Sequence, residues 1–178
     1  MNRHQVLEQL PGLRRYARAL TGDAWAADDL VQDTLERACS KWRLWTVGTN
    51  LRAWLFTLMH HLHASQARQD SRRSAMLPLV NVDDVEAELV APVAADGLAL
   101  DLQRCLLQLP EEQRAVLLLV SLEDMSYAQV ARITGAPIGT VMSRLSRARS
   151  RLLALLNAPG SAEHVDAGAG APRLKRLK

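Results

Sequence analysis

Apolar residues recur at helical spacing along most of this chain, and polar breaks between the periodic runs sort them into two groups. The first run, roughly Gln5 to Leu20, closes at "TGD". There Gly22 suits the position just past a helix end, and Asp23 suits the N-cap of the next helix. The second predicted helix covers about Ala24 to Trp42. Leu30, Val31, Leu35 and Ala38 keep its apolar spacing, while Asp28, Asp29 and Asp33 lie in its N-terminal part, where acids complement the helix dipole. After the break "TVGTN", Asn50 can cap a third helix through "LRAWLFTLMHHLHASQARQDSRR". Residues 1–73 are thus expected to form one helical domain.

The pattern then changes character. Residues 74–97 contain two prolines, five acids and no Lys or Arg, which predicts a flexible acidic linker. A second helical domain is predicted over residues 98–157. Pro110 in "LPEEQR" suits a first turn, with Glu111 and Glu112 at the positive end of the helix dipole. "SYAQ" has the form of a capping box, Ser126 capping and Gln129 reaching back. A short helix Tyr127–Thr134 meets Gly135 and Pro137, and a basic helix follows. Residues 158–178 are small, polar and rich in Gly, Pro and Ala, and are expected to be disordered. Their final "RLKRLK" fits either a solvated basic tail or a nucleic-acid contact. The fold class expected is all-α: two small helical domains joined by the acidic linker, with a helix-turn-helix in the C-terminal one.

The basic helix is the most informative segment. "GAPIGTVMSRLSRARSRLLALL" carries four arginines and no acid. With Arg144 as origin and about 100° per residue, Thr140, Arg147 and Arg151 fall within roughly 60° of it, and Ser143 about 100° away on the same side. Val141, Leu145, Ala148 and Leu152 form a separate apolar stripe, and Arg149 points elsewhere. Ala131 is small enough for a close helix crossing, and Gly135 permits a sharp turn. Helix, tight turn, helix is the arrangement that sets a second helix into the DNA major groove. Arginine suits that position, bidentate to guanine or fork-like against phosphate. The same pattern also fits an amphipathic hairpin with a solvated basic face.

Composition narrows the classes further. The 178 residues are 48% hydrophobic, mainly Leu and Ala with few aromatics, which favours helix over sheet. The net charge is only +3, so a strong field must come from local clustering. Cys39 and Cys105 lie far apart outside any CxxC pair and are expected to be reduced, buried thiols. "MNRHQVLEQLPGL" lacks the apolar run of a signal peptide, and the longest apolar run, Ala115–Val120, is too short to span a bilayer. A cytoplasmic protein without membrane insertion is expected. In "HHLH", His60 and His63 could share a helix face, but no Cys or carboxylate lies at metal-ligand spacing, so neither metal nor cofactor is expected. No phosphate loop, HExxH or nucleophile elbow appears, and no enzymatic activity is expected.

"YAQVARITGAPIGTVMSRLSRARSRL" resembles the promoter-reading helix-turn-helix of the extracytoplasmic-function (ECF) sigma factors of bacterial RNA polymerase. "LPEEQRAVLLLV" is similar to the helix that opens the same domain. "RALTGDAWAADDLVQDTLERA" and the text from "LRAWLFTLMHHLHASQAR" on resemble the family's first domain. The resemblance covers about residues 5–73 and 98–156. It implies that residues 1–73 bind the polymerase clamp helices and read and melt the −10 element. It implies that residues 98–157 meet the polymerase flap and read the −35 element, while the linker runs near the active-site and RNA-exit channels. Asp29, Gln32 and Asp33 would contact polymerase, although acids early in a helix also need no partner. Thr140, Ser143, Arg144, Arg147 and Arg151 would grip the −35 element. "TVGTN" and the helix through Trp54, with His60, His61, Ser65 and Arg68, would face the −10 strand, where single-stranded bases are held by stacking and shaped pockets. Trp54 itself lies in the apolar run "AWLF" and suits the core.

The sequence departs from the family pattern at three of these positions. His61 stands where Asn is usual and Ser65 where Asp is frequent, which leaves the −10 base preference open. Met142 replaces a common Lys and removes a phosphate contact. The partners implied are RNA polymerase core, promoter DNA and an anti-sigma factor, for a chain that is monomeric when free. Two other readings fit parts of the pattern. One is a sigma-like decoy that sequesters an anti-sigma factor, which would not need the Arg face. The other is a standalone helix-turn-helix regulator, which would not need the first domain.

Overall fold

The computed structural model describes residues 3–45, 50–76 and 97–158. Among them the regular structure is helical: α1 (Arg3–Leu7), α2 (Leu10–Thr21), α3 (Ala24–Lys41), α4 (Leu51–Met76), α5 (Gly97–Leu107), α6 (Glu111–Ser121), α7 (Tyr127–Thr134) and α8 (Ile138–Leu156), with a 3-10 turn at Trp42–Leu44. The helix expected from Gln5 is two helices, because the chain turns at Glu8–Gln9 and restarts with Pro11 in its first turn. α4 runs three residues into the segment expected as linker. α5 takes the last residue of that segment, Gly97, and residues 77–96, like the tail from residue 159, lie outside the described residues.

Local capping chemistry sets most of the helix boundaries. Gly22 adopts a left-handed conformation, φ 79°, and its N–H closes on the Arg18 carbonyl. One residue on, the Asp23 carboxylate accepts from the Ala26 N–H at 2.7 Å and starts α3. The Asn50 side-chain carbonyl accepts from the Ala53 N–H at 3.0 Å and starts α4. Ser126 Oγ accepts from the Gln129 N–H while Gln129 Oε1 accepts from the Ser126 N–H, so both halves of the capping box are formed. Gly135 then ends α7 at φ 65°.

The two groups of helices share one buried core. Leu13, Tyr16 and Leu20 of α2 and Leu55, Phe56 and Met59 of α4 belong to the same cluster as Val116 and Leu119 of α6, Ile133 of α7 and Val141 and Leu145 of α8. α2 packs on α3, α5 and α6, and α4 packs on α3 and α7. Tyr16 and Phe56 meet edge to face at 5.3 Å between ring centres. Burial holds the Tyr16 phenol protonated well above its ordinary range. Trp54 packs against this core and stands edge-on to Trp42. Cys105 is buried, but Cys39 is exposed, against the expectation for it: it follows buried Ala38, and one helical step of about 100° turns it to solvent.

Candidate nucleic-acid and polymerase interfaces

α7 and α8 are held by Val130, Ile133, Val141, Leu145 and Ala148, all buried. That leaves the remaining faces of α8 to solvent. Arg147, Arg149 and Arg151 are exposed, and Thr140 and Ser143 are partly buried. Ser143 Oγ donates to the Thr140 carbonyl at 3.0 Å, so its hydroxyl proton is engaged along the helix. Arg144 differs from its neighbours: it is mostly covered and ion-pairs with Glu112 of α6. Sequence reasoning placed Arg144 on the Arg face but did not find this partner.

The helix-turn-helix also presents apolar residues to which sequence reasoning gave no base contact. Ile138 and Met142 are about half exposed at the start of α8, and a Cβ at Gly139 would meet nothing within 4 Å. The first turn of α8 is therefore open where a recognition helix meets base edges. An apolar side chain there can touch a thymine methyl.

On α4 the predicted −10 residues fall along one side of the helix at different depths. His61 and Arg68 are exposed, whereas His60 and Ser65 are partly buried. Burial, helped by the charges of His61, His63, Arg144 and Arg68, lowers the His60 pKa from 6.5 to about 4, and the ring is neutral at pH 7. His63, which carried no assigned role, meets Glu111 of α6 at 2.8 Å. No group of His, Cys, Asp and Glu able to hold a metal occurs among the described residues. Of "TVGTN", residues 46–49 lie outside the described residues.

On α3, Asp29 and Gln32 are exposed and Asp33 is partly buried, spaced so that they share a face with Glu36. Gln32 Nε2 donates to Glu36 at 3.1 Å, and Gln66 of α4 donates to Asp33 at 3.4 Å. Asp33, Glu36, Arg37, Ser40 and Leu62 line a groove of about 480 Å³ between α3 and α4. An acidic face bordering a shallow groove suits a basic partner surface.

Known proteins fit this arrangement. Residues 6–60 match the family described as the Sigma2 domain of PhyR, and residues 99–152 match Sigma-70, region 4. The ECF RNA polymerase sigma factor EcfG of Rhodopseudomonas palustris is 37% identical over 162 residues, covering 89% of this chain and 87% of that protein. This chain belongs to the ECF RNA polymerase sigma factor family. SigM, an ECF sigma factor of Mycobacterium tuberculosis, is 34% identical over 146 residues, covering 81% of this chain and 71% of that one. Among solved structures, the sigma factor RpoE in complex with the anti-sigma factor NepR, from Bartonella quintana, is 36% identical. It superposes with a TM-score of 0.71, covering 86% of this chain and 95% of that chain. As an ECF sigma factor the chain is a DNA-binding transcription factor and not an enzyme. No helix among its described residues is long and apolar enough to cross a membrane.

Proposed function

We propose that this ECF sigma factor binds RNA polymerase core and directs it to a small set of promoters. Residues 1–73 engage the clamp helices through Asp29, Gln32 and Asp33 and read the −10 strand through His60, His61, Ser65 and Arg68. Residues 98–157 engage the flap and read the −35 element through Thr140, Ser143, Arg144, Arg147 and Arg151. The segment 74–97 links these two domains along the polymerase channels. The observation that carries this reading is the acid-free Arg face of α8, exposed at Arg147 and Arg151 and set on a helix-turn-helix whose first turn is open. An anti-sigma factor is the expected regulator, since the RpoE that this chain resembles was captured with NepR.

Run-off transcription with purified core, on the region upstream of the protein's own gene, tests the reading. It predicts specific initiation that depends on the added chain. The decoy reading has one observation in its favour, the match of residues 6–60 to the Sigma2 domain of PhyR. PhyR, an anti-anti-sigma factor, is 19% identical in the structure it shares with NepR, which shows a common fold. A decoy would bind an anti-sigma factor and neither bind core nor initiate.

A further inference from the structure

Glu123 follows α6 and precedes the helix-turn-helix, yet its side chain is wholly buried. Two arginines from the other half of the molecule surround it. Arg15 of α2 donates from Nε to Oε1 at 3.0 Å, and its Nη2 lies 2.9 Å from the same oxygen. Arg52, in the first turn of α4, donates from Nη2 to Oε2 at 2.7 Å and to the Glu123 carbonyl at 2.9 Å. Arg15 also reaches the Leu122 carbonyl at 3.3 Å. Gly12 leaves the room: a Cβ there would lie 3.0 Å from Oε2. One carboxylate thus ties two helices of the first half, α2 and α4, to the segment from which the helix-turn-helix departs.

That tie has a consequence for DNA. A helix-turn-helix docks with its first helix across the backbone and its second in the groove. Here α7 packs on α4. Arg144 is mostly covered and paired with Glu112, close enough for its charge to depress His60. His63 of α4 is joined to Glu111. The −10 helix therefore lies against the −35 reader on the side of Arg144. We infer that Glu123 is an autoinhibitory clasp: in the free chain it holds the two halves shut by gripping Arg15 and Arg52, and full −35 reading requires that grip to break. The two arginines are 53% and 38% exposed, so on release they reach water or a phosphate, whereas Glu123 unpaired in place would be a buried lone charge. The clasp is therefore two-state, closed with the pairs made or open with Glu123 hydrated. A reader competent in only a fraction of molecules has its apparent affinity reduced by that fraction.

The inference rests on α8 being the −35 reader, and the test separates the two claims. Donor and acceptor dyes are placed on native Cys39 and on Ala154→Cys, both exposed positions, while Cys105 is buried. Transfer is compared for the otherwise wild-type chain, Glu123→Gln, and the double variant Arg15→Gln/Arg52→Gln. Unlabelled proteins are titrated onto a duplex carrying the −35 element mapped by run-off transcription. The clasp predicts high transfer in wild type, a clear fall in both variants, and about tenfold or more tighter duplex binding by Glu123→Gln, or ~1.4 kcal/mol. Opening in both variants with no duplex binding by any protein would uphold the clasp and refute α8 as the reader. If Glu123→Gln loses its helical circular dichroism, the double variant, with both replaced side chains partly exposed, decides. Wild-type transfer and affinity in folded variants, or a wild-type chain that is already open, would overturn the inference.

Discussion

Gly22 and Gly135 both end a helix in the left-handed region, at φ 79° and 65°, but their surroundings differ. Around Gly135 a Cβ would meet nothing within 4 Å. At Gly22 it would lie 2.5 and 2.7 Å from the two methyls of Leu107 and 3.1 Å from its Cγ. The Leu107 backbone is held by its carbonyl, which accepts from Arg114 Nη1 at 3.1 Å, so the Leu107 side chain must shift to make room. Gly135→Ala should therefore cost only the left-handed penalty, about 1–2 kcal/mol. Gly22→Ala should cost that plus an overpacking cost of ~1–3 kcal/mol. The gain from stiffening the unfolded chain is common to both and cancels in the difference. At about 2–4 °C per kcal/mol for a chain of this size, their melting temperatures should separate by several degrees. Thermal unfolding followed by circular dichroism reads this directly. Equal losses would refute the reasoning, since the φ values are alike and only the Leu107 contact distinguishes the sites.

Other consequences follow from single contacts. Arg147→Ala, on an exposed part of the Arg face, should weaken binding to a −35 duplex by about 1–3 kcal/mol if it reads a guanine, and unchanged binding in a filter or fluorescence titration would remove it from the reader. Ser126→Ala deletes one half of the capping box and should cost ~1 kcal/mol in urea denaturation, with Ser126→Asp retaining most of it. His60 is depressed from 6.5 to about 4 in the fold. The unfolded chain therefore binds the proton first as pH falls, so this contribution to stability is intact above pH 6.5 and lost as pH falls to 4. The full loss would be roughly 3 kcal/mol. Denaturation at pH 7 and pH 5 should show part of that slope, and His60→Gln should flatten it.

The parts of this molecule legible in its sequence are those fixed by rules a few residues long. Asp23, Asn50, Ser126 with Gln129, Gly22 and Gly135 all act within about four residues of themselves, and their neighbours in sequence are their partners in space. The apolar stripe of α8 was legible for the same reason. Glu123 was not, because its partners lie 108 and 71 residues away and nothing in "SLEDMS" marks an acid that will be buried. The cover on Arg144 likewise depends on how α6 and α8 meet, which helical periodicity does not specify. The N-terminal helix broke because a continuous apolar period says nothing about a turn at Glu8–Gln9. The acidic composition of residues 74–97 did not prevent three of them from extending α4, since helix propagation is cheap once a helix is formed.

Run-off transcription measures whether this chain makes core polymerase promoter-specific. Purified core is supplied with the region upstream of the protein's own gene, with and without the chain, and a parallel sample is passed over immobilised core. The account predicts a discrete transcript only when the chain is present, weakened when both Arg144 and Arg147 are replaced by Ala. Retention on core without a transcript would direct the search to another promoter. Failure to bind core, together with capture of an anti-sigma factor, would contradict the account and leave a decoy in its place.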